Sequence, residues 1–184
     1  MPIHLRPPTT ADLPHRAAWM ADPATMAYNA GFAPAPGYDP ATGCLAFPAA
    51  DHAAWLQAWT TLPDRFLAFV ADDVAAPPLG EVAFRVTPDG AAHLHVLVAA
   101  PHAGRGVGVA ALRLLLARVF ARSDVTQAVD EFPADREPAE TVFRRLGFAR
   151  DGDRVVLTRA SSDEARAAPG ADLTARERVV RAPR

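Results

Sequence analysis

Apolar and polar positions along this chain repeat at two periods, and the switches between them mark the elements. Residues 3–6 (Ile-His-Leu-Arg) alternate as a short strand does. Thr9 or Thr10 then offers a helix cap, with Asp12 in the first turn, and the helix runs towards Trp19. Asp22-Pro23 opens a second helical piece that ends near Tyr28-Asn29-Ala30-Gly31. Residues 31–48 carry Gly, Pro and Tyr with no period, which reads as a long loop of the kind that often forms a lid or binding segment. A third helix is predicted over 51–62, with Trp55 and Trp59 four apart on one face, read as core rather than as a ligand platform.

From Phe66 the period changes. Residues 66–71 are a continuous apolar run of strand length, and 81–86 alternate cleanly after the turn at Pro77-Pro78-Leu79-Gly80. Pro88-Asp89-Gly90 is hairpin-turn chemistry and 93–98 form a further strand, so the three segments make an antiparallel meander. A periodic helix follows over 107–121, with Leu112, Leu116, Val119 and Phe120 inward and Arg113 and Arg118 outward. A strand over 125–130, a helix capped by Asp135 and stopped by Gly147, and a last strand over 155–158 complete the pattern. The fold class is α+β, a mixed, mostly antiparallel sheet flanked by helices. Its strand–helix–strand unit from 93 to 130 makes one parallel pair through a right-handed crossover. The domain is expected over 1–160. Residues 161–184 read as a disordered tail, with Val179-Val180 as its one apolar anchor.

Composition narrows the chemistry. All 19 basic residues are arginine, so a lysine Schiff base and a lysine-dependent phosphate loop are excluded. The single Cys44 rules out an intrachain disulfide and a multi-cysteine zinc site, and it has no identifiable base partner; no metal is expected. A net charge of −2 without a basic stripe argues against nucleic acid as a partner. The start lacks an apolar signal core and no apolar run approaches the ~18 residues of a membrane helix. The expectation is therefore a cytoplasmic chain without a membrane partner; a homodimer stays open.

The informative stretch runs from Val96 through Pro101-His102-Ala103-Gly104-Arg105-Gly106-Val107-Gly108-Val109 to Leu112. A buried strand enters a glycine-rich turn that opens a helix. Glycines at 104, 106 and 108 clear side chains from where a ligand would meet the backbone, and the free N–H groups of a first helical turn favour a phosphate or pyrophosphate. Gly106 to Ala111 also fits a dinucleotide fingerprint, with Asp130 at roughly the distance of a ribose-binding acid. That fold, however, carries its fingerprint on the first strand of a βαβαβ half, whereas here a meander precedes it.

The segment resembles the acyl-CoA motif of the Gcn5-related N-acetyltransferase (GNAT) family, Q/R-x-x-G-x-G/A at a strand–helix junction, falling on 103–108. The resemblance covers about 150 residues, and Leu146-Gly147-Phe148 matches the usual end of the family's last helix. It implies acetyl-CoA as co-substrate, with Ala103, Gly104, Arg105, Gly106, Val107, Gly108 and Val109 at its pyrophosphate. The strand end at Leu97 and Val98 would lie along the pantetheine arm. It also implies direct acetyl transfer to a primary amine of a small molecule or peptide, a reaction needing a base and an oxyanion-stabilising dipole. Two positions depart from the pattern. Ala103 stands where Gln or Arg is usual, and Phe143, placed near the thiol, replaces a tyrosine that protonates the departing thiolate in many members. A non-catalytic acyl-CoA-binding or regulatory module is the alternative.

The base is not fixed by the sequence. Glu81 opens a strand in the part of the sheet that often supplies the base in this family, or it is an exposed strand-end carboxylate. Asp130 and Glu131 end the strand after the CoA helix, where either catalysis, amine binding or plain exposed charge fits. His93 and His95 share one face of a strand, and an imidazole titrates in the neutral range. Tyr28 and Asn29 are candidates for the acceptor pocket.

Overall fold

The computed structural model describes residues 3–32, 36–73 and 75–167. Seven strands form one sheet in the order β1-β2-β3-β4-β5-β7-β6. These are β1 (His4–Arg6), β2 (Arg65–Ala71), β3 (Gly80–Val86), β4 (Ala91–Val98), β5 (Gln127–Glu131), β6 (Ala149–Asp151) and β7 (Arg154–Thr158). Every neighbouring pair is antiparallel except β4 and β5. The helices are α1 (Leu13–Ala21), α2 (Pro23–Met26), α3 (His52–Thr61), α4 (Val107–Phe120), α5 (Glu137–Arg145) and α6 (Arg159–Ala167).

The sheet is buried on both faces. The side chains of Ala68, Val70, Val82, Phe84, Ala92 and Leu94 share one apolar core with Val107, Leu112, Leu115 and Leu116 of α4 and with Phe143 of α5. On the opposite face Phe69, Leu97 and Ala99 pack with Trp19, Met20 and Met26 of α1 and α2. Burial on both faces explains why the runs in β2 and β4 are nearly continuous in apolar residues.

The local structure departs from the sequence pattern at four places. The chain enters α5 at Arg136, with Asp135 outside the cap and no side-chain cap bond. Strand β6 has no apolar alternation of its own and exists through a hairpin with β7, turning at Gly152 with φ +62°. Trp55 and Trp59 are half-buried and belong to neither core. Helix α6 runs past the boundary drawn at residue 160; its first residue sends its guanidinium onto the carbonyls of Phe120, Arg122 and Val125, at the end of α4. The remainder of the expected tail, including Val179-Val180, lies outside the described residues. Among the described residues no helix is long and apolar enough to cross a membrane.

Within the loop over 31–48, residues 31–32 and 36–48 are folded onto the domain. Gly31 donates to the Pro40 carbonyl, Leu45 to that of Met20, and Tyr38 bridges Leu45. Gly43 sits so close to α2 that a Cβ there would lie 2.2 Å from the Met26 carbonyl oxygen.

Candidate active site

Strand β4 pairs with β3 along its length, from Val86↔Ala92 to Gly80↔Val98. With β5 it pairs only as far as His93↔Val129. Beyond that point β5 goes on with β7, and residues 94–98 leave a free strand edge inside the sheet. This gap leads to the glycine turn. Gly104 (φ +73°) and Gly106 (φ +80°) are left-handed, and a Cβ on either would meet nothing within 4 Å. Gly106 is the N-cap of α4 and has no side chain to cap it.

The backbone donors divide sharply here. The N–H groups of Ala99, Ala100, His102 and Ala103 are spent on Leu79, the Thr25 hydroxyl, Ala99 and Ala100 respectively. Among the described residues those of 104–109 have no carbonyl partner, which leaves six unpaired donors at the positive end of a 14-residue helix. The Ala103 N–H is thus already paired within the turn. An extended thioester arm on a free strand edge, with a pyrophosphate on unpaired amides, fits this arrangement.

Below the gap lies an ionic cluster. Glu81, fully buried, accepts from Arg16 Nε at 3.1 Å on Oε1 and 3.0 Å on Oε2. His95 Nε2 lies 3.0 Å from the same Oε1, with a third of the imidazole side chain exposed. Burial alone would raise the Glu81 carboxyl, but the His95 hydrogen bond and the Arg16 charge outweigh it and hold it below the usual range. Arg16 is itself enclosed, its guanidinium carbon 4.0 Å from the Trp55 ring centroid and 4.4 Å from that of Phe47.

The sequence of residues 3–149 matches the family model of the acetyltransferase (GNAT) domain. The chain belongs to the GNAT family. Solved structures agree in fold. One of the aminoglycoside acetyltransferase AAC(6')-Ib with ribostamycin and coenzyme A superposes with a TM-score of 0.71 at 18% identity, over 90% of this chain and 98% of that one. The spermidine N-acetyltransferase from Vibrio cholerae, with CoA and spermine, gives 0.70 at 14% identity over 88% and 98%. RimL, a ribosomal L7/L12 alpha-N-protein acetyltransferase in complex with coenzyme A, gives 0.68 at 15% over 86% and 94%. Among curated proteins none matches the chain in sequence.

Within this GNAT domain the sequence candidates separate. Glu81 is not an exposed strand end; it is sealed behind Arg16 and His95. Asp130 stands where β4 and β5 part, accepting from the Glu131 N–H at 2.8 Å. Burial pushes its carboxyl up to about 7, although that hydrogen bond and the nearby His95 act to lower it. Glu131 is turned outward, 3.7 Å from Arg154. Asn29 is buried, whereas Tyr28 is exposed at the rim; crowding lifts its phenol well above the ordinary value, with Tyr38, Glu81 and Asp130 adding to the effect. Tyr28 thus lies within electrostatic reach of Tyr38, Glu81 and Asp130, and Asp130 within reach of His95. Leu97 turns its side chain into the α1–α2 core and contributes backbone only. Phe143 is 6% exposed and packs on Phe132 at 5.3 Å and edge-on to Phe148 at 4.9 Å. No group of three or more potential metal ligands occurs among the described residues.

Sequence reasoning missed Arg16, Thr25 and Arg136. Arg16 had a signal: it lies on the Leu13/Met20 stripe of α1, where a charge must find a buried partner. Thr25 ties α2 to the turn before α4, and Arg136 reaches back from α5 to the Ala27 and Ala30 carbonyls, on either side of Tyr28 and Asn29. Neither contact has a local signature.

Proposed function

We propose that this GNAT domain is an N-acetyltransferase that moves the acetyl group of acetyl-CoA directly to a primary amine of a small molecule or peptide. The observation that supports it is the succession along β4 into α4 of His95, just past the last β4–β5 pair and within electrostatic reach of Asp130, the unpaired edge at 94–98, and the unpaired amides of 104–109. Acetyl-CoA supplies an activated acetyl thioester. The protein binds its pyrophosphate on the α4 amides, with the Arg105 guanidinium exposed beside them, and aligns its arm on the β4 edge.

The acceptor enters past Tyr28, Asn29 and Tyr38, and Asp130 attracts its ammonium. Because Nε2 of His95 faces a carboxylate, that nitrogen carries the hydrogen, and Nδ1 keeps the lone pair that takes the amine proton. Glu81 acts through His95 and is reassigned from base to positioning residue. Proton return to sulfur falls to the imidazolium at His95 or to water, since Phe143 has none to give. The acceptors named for the structural neighbours, aminoglycosides, spermine and a ribosomal protein amino terminus, are all amines. We place the reaction in the cytoplasm, without nucleic acid or membrane as partner.

Release of free thiol from acetyl-CoA with a panel of amines tests this reading. Amine-dependent release that falls at least tenfold in His95→Gln is expected. A chain that binds acetyl-CoA but releases no thiol with any amine would instead be a non-catalytic acyl-CoA-binding module.

A further inference from the structure

We propose that Arg16 is a positioning residue for proton transfer: clamped between Phe47 and Trp55, it holds Glu81 as a charge-balanced anion and so orients the His95 imidazole, with Nε2–H on Glu81 and Nδ1 free. The proposal rests on the reading of His95 as proton acceptor. Its geometry is a chain of three groups from three elements: Arg16 on α1, Glu81 on β3 and His95 on β4, joined by contacts of 3.0–3.1 Å.

A buried carboxylate requires a counter-charge. If His95 were its sole partner, Glu81 would draw a proton onto the imidazole and occupy the lone pair needed for the amine. Arg16 provides a permanent positive charge instead, so Nε2–H donates to Glu81 while Nδ1 stays free. The other ionisable groups facing the cleft are Asp130 from β5, Tyr28 after α2 and Tyr38 from the loop before α3. Both phenols are raised and remain neutral, whereas Asp130, which takes up its charge as pH passes about 7, pulls towards imidazolium there. Arg16 is the opposing charge.

The clamp extends the device outward. Phe47 stacks on His52 with ring centroids 4.5 Å apart and meets Trp55 edge-on at 5.3 Å, so the loop end and α3 together fix the guanidinium plane. Trp55 accordingly belongs to the acid–base apparatus although it lies on the half-buried outer helix.

The test is the pH dependence of kcat/KM for the amine at saturating acetyl-CoA, with acetyl-CoA-induced thermal shift as the readout of folding and co-substrate binding. Arg16→Gln is expected to move the acidic limb upward by about one pH unit, a roughly tenfold loss below the limb that is recovered at higher pH. Its thermal shift stays at the parent value, and Arg16→Lys restores most of the profile. A folded Arg16→Gln with the parent limb overturns the proposal. If Arg16→Gln does not melt cooperatively, Trp55→Leu decides: an upward movement of about half a unit supports the role, and an unmoved limb overturns it. His95→Gln separates the two levels. If it keeps both rate and limb, the reading of His95 itself falls, and the Arg16 proposal with it; if it loses both while Arg16→Gln keeps the parent limb, only the Arg16 role is lost.

Discussion

Replacing Gly106 by alanine separates what the glycine turn does for folding from what it does for binding. Gly106 is held at φ +80°, and the added Cβ meets no atom within 4 Å. The folding cost is therefore the left-handed backbone alone, about 1–2 kcal/mol. For a chain of this size that lowers the melting midpoint by about 2–8 °C. On the proposed reading the pyrophosphate approaches through the open space above it, so the same methyl should weaken acetyl-CoA at least tenfold, about 1.4 kcal/mol. Gly43 is the control. It has a similar φ of +73°, but its Cβ would lie 2.2 Å from the Met26 carbonyl and 2.8 Å from the Ala30 nitrogen. Backbone must move, and Gly43→Ala is expected to cost about 3 kcal/mol or more. Denaturant unfolding of both variants, with calorimetric titration of acetyl-CoA into Gly106→Ala, supplies the numbers. A Gly106→Ala protein with the expected midpoint and the parent affinity would show that the pyrophosphate sits elsewhere.

Other variants probe other contacts. Asp130 holds its proton to about 7 when folded and to about 3.9 when unfolded, so the folded chain carries the extra proton between those values and stability falls as pH rises through them. Asp130→Asn should match the parent near pH 4 and exceed it in stability at pH 8, while raising KM for the amine; equal stability at both pH values would contradict the burial of this carboxyl. Arg159→Ala loses every hydrogen bond from its guanidinium to the Phe120, Arg122 and Val125 carbonyls and should lose about 2–3 kcal/mol by denaturant titration. Phe143→Tyr adds a hydroxyl among Phe132, Phe148 and the surrounding core, and a loss of about 1–3 kcal/mol with an unchanged thiol-release rate per folded molecule is expected; a faster rate would put the ring at the thiol.

Elements whose pattern is local were legible. The meander of β2, β3 and β4 and the stripe of α4 follow from periodicity, because each element's apolar residues face cores built by neighbours close in the chain. Strand β6 was not legible, since Ala149-Arg150-Asp151 becomes a strand only by pairing with Val156, Val155 and Arg154. The loop over 31–48 reads as unpatterned because its shape is imposed by contacts with α1 and α2, the Gly43 approach among them. The glycine turn was legible for the opposite reason: conformational freedom and missing side chains are properties of the residues themselves.

The Arg16–Glu81–His95 cluster shows where local reasoning ends. Glu81, at the start of a strand, has the sequence position of an exposed carboxylate, and its chemistry is decided by Arg16, 65 residues away. Once that pair forms, Glu81 is buried, and the partly exposed group beside it is His95, which by sequence was only one of two histidines on a strand face. The distinction between them is also tertiary. His93 lies at the last residue pair of β4 with β5, whereas His95 comes two residues later, where the strands have parted. On the proposed reading, the end of the β4–β5 pairing decides which imidazole meets the acceptor, and the buried Arg16–Glu81 pair decides which of its nitrogens is free to take the proton.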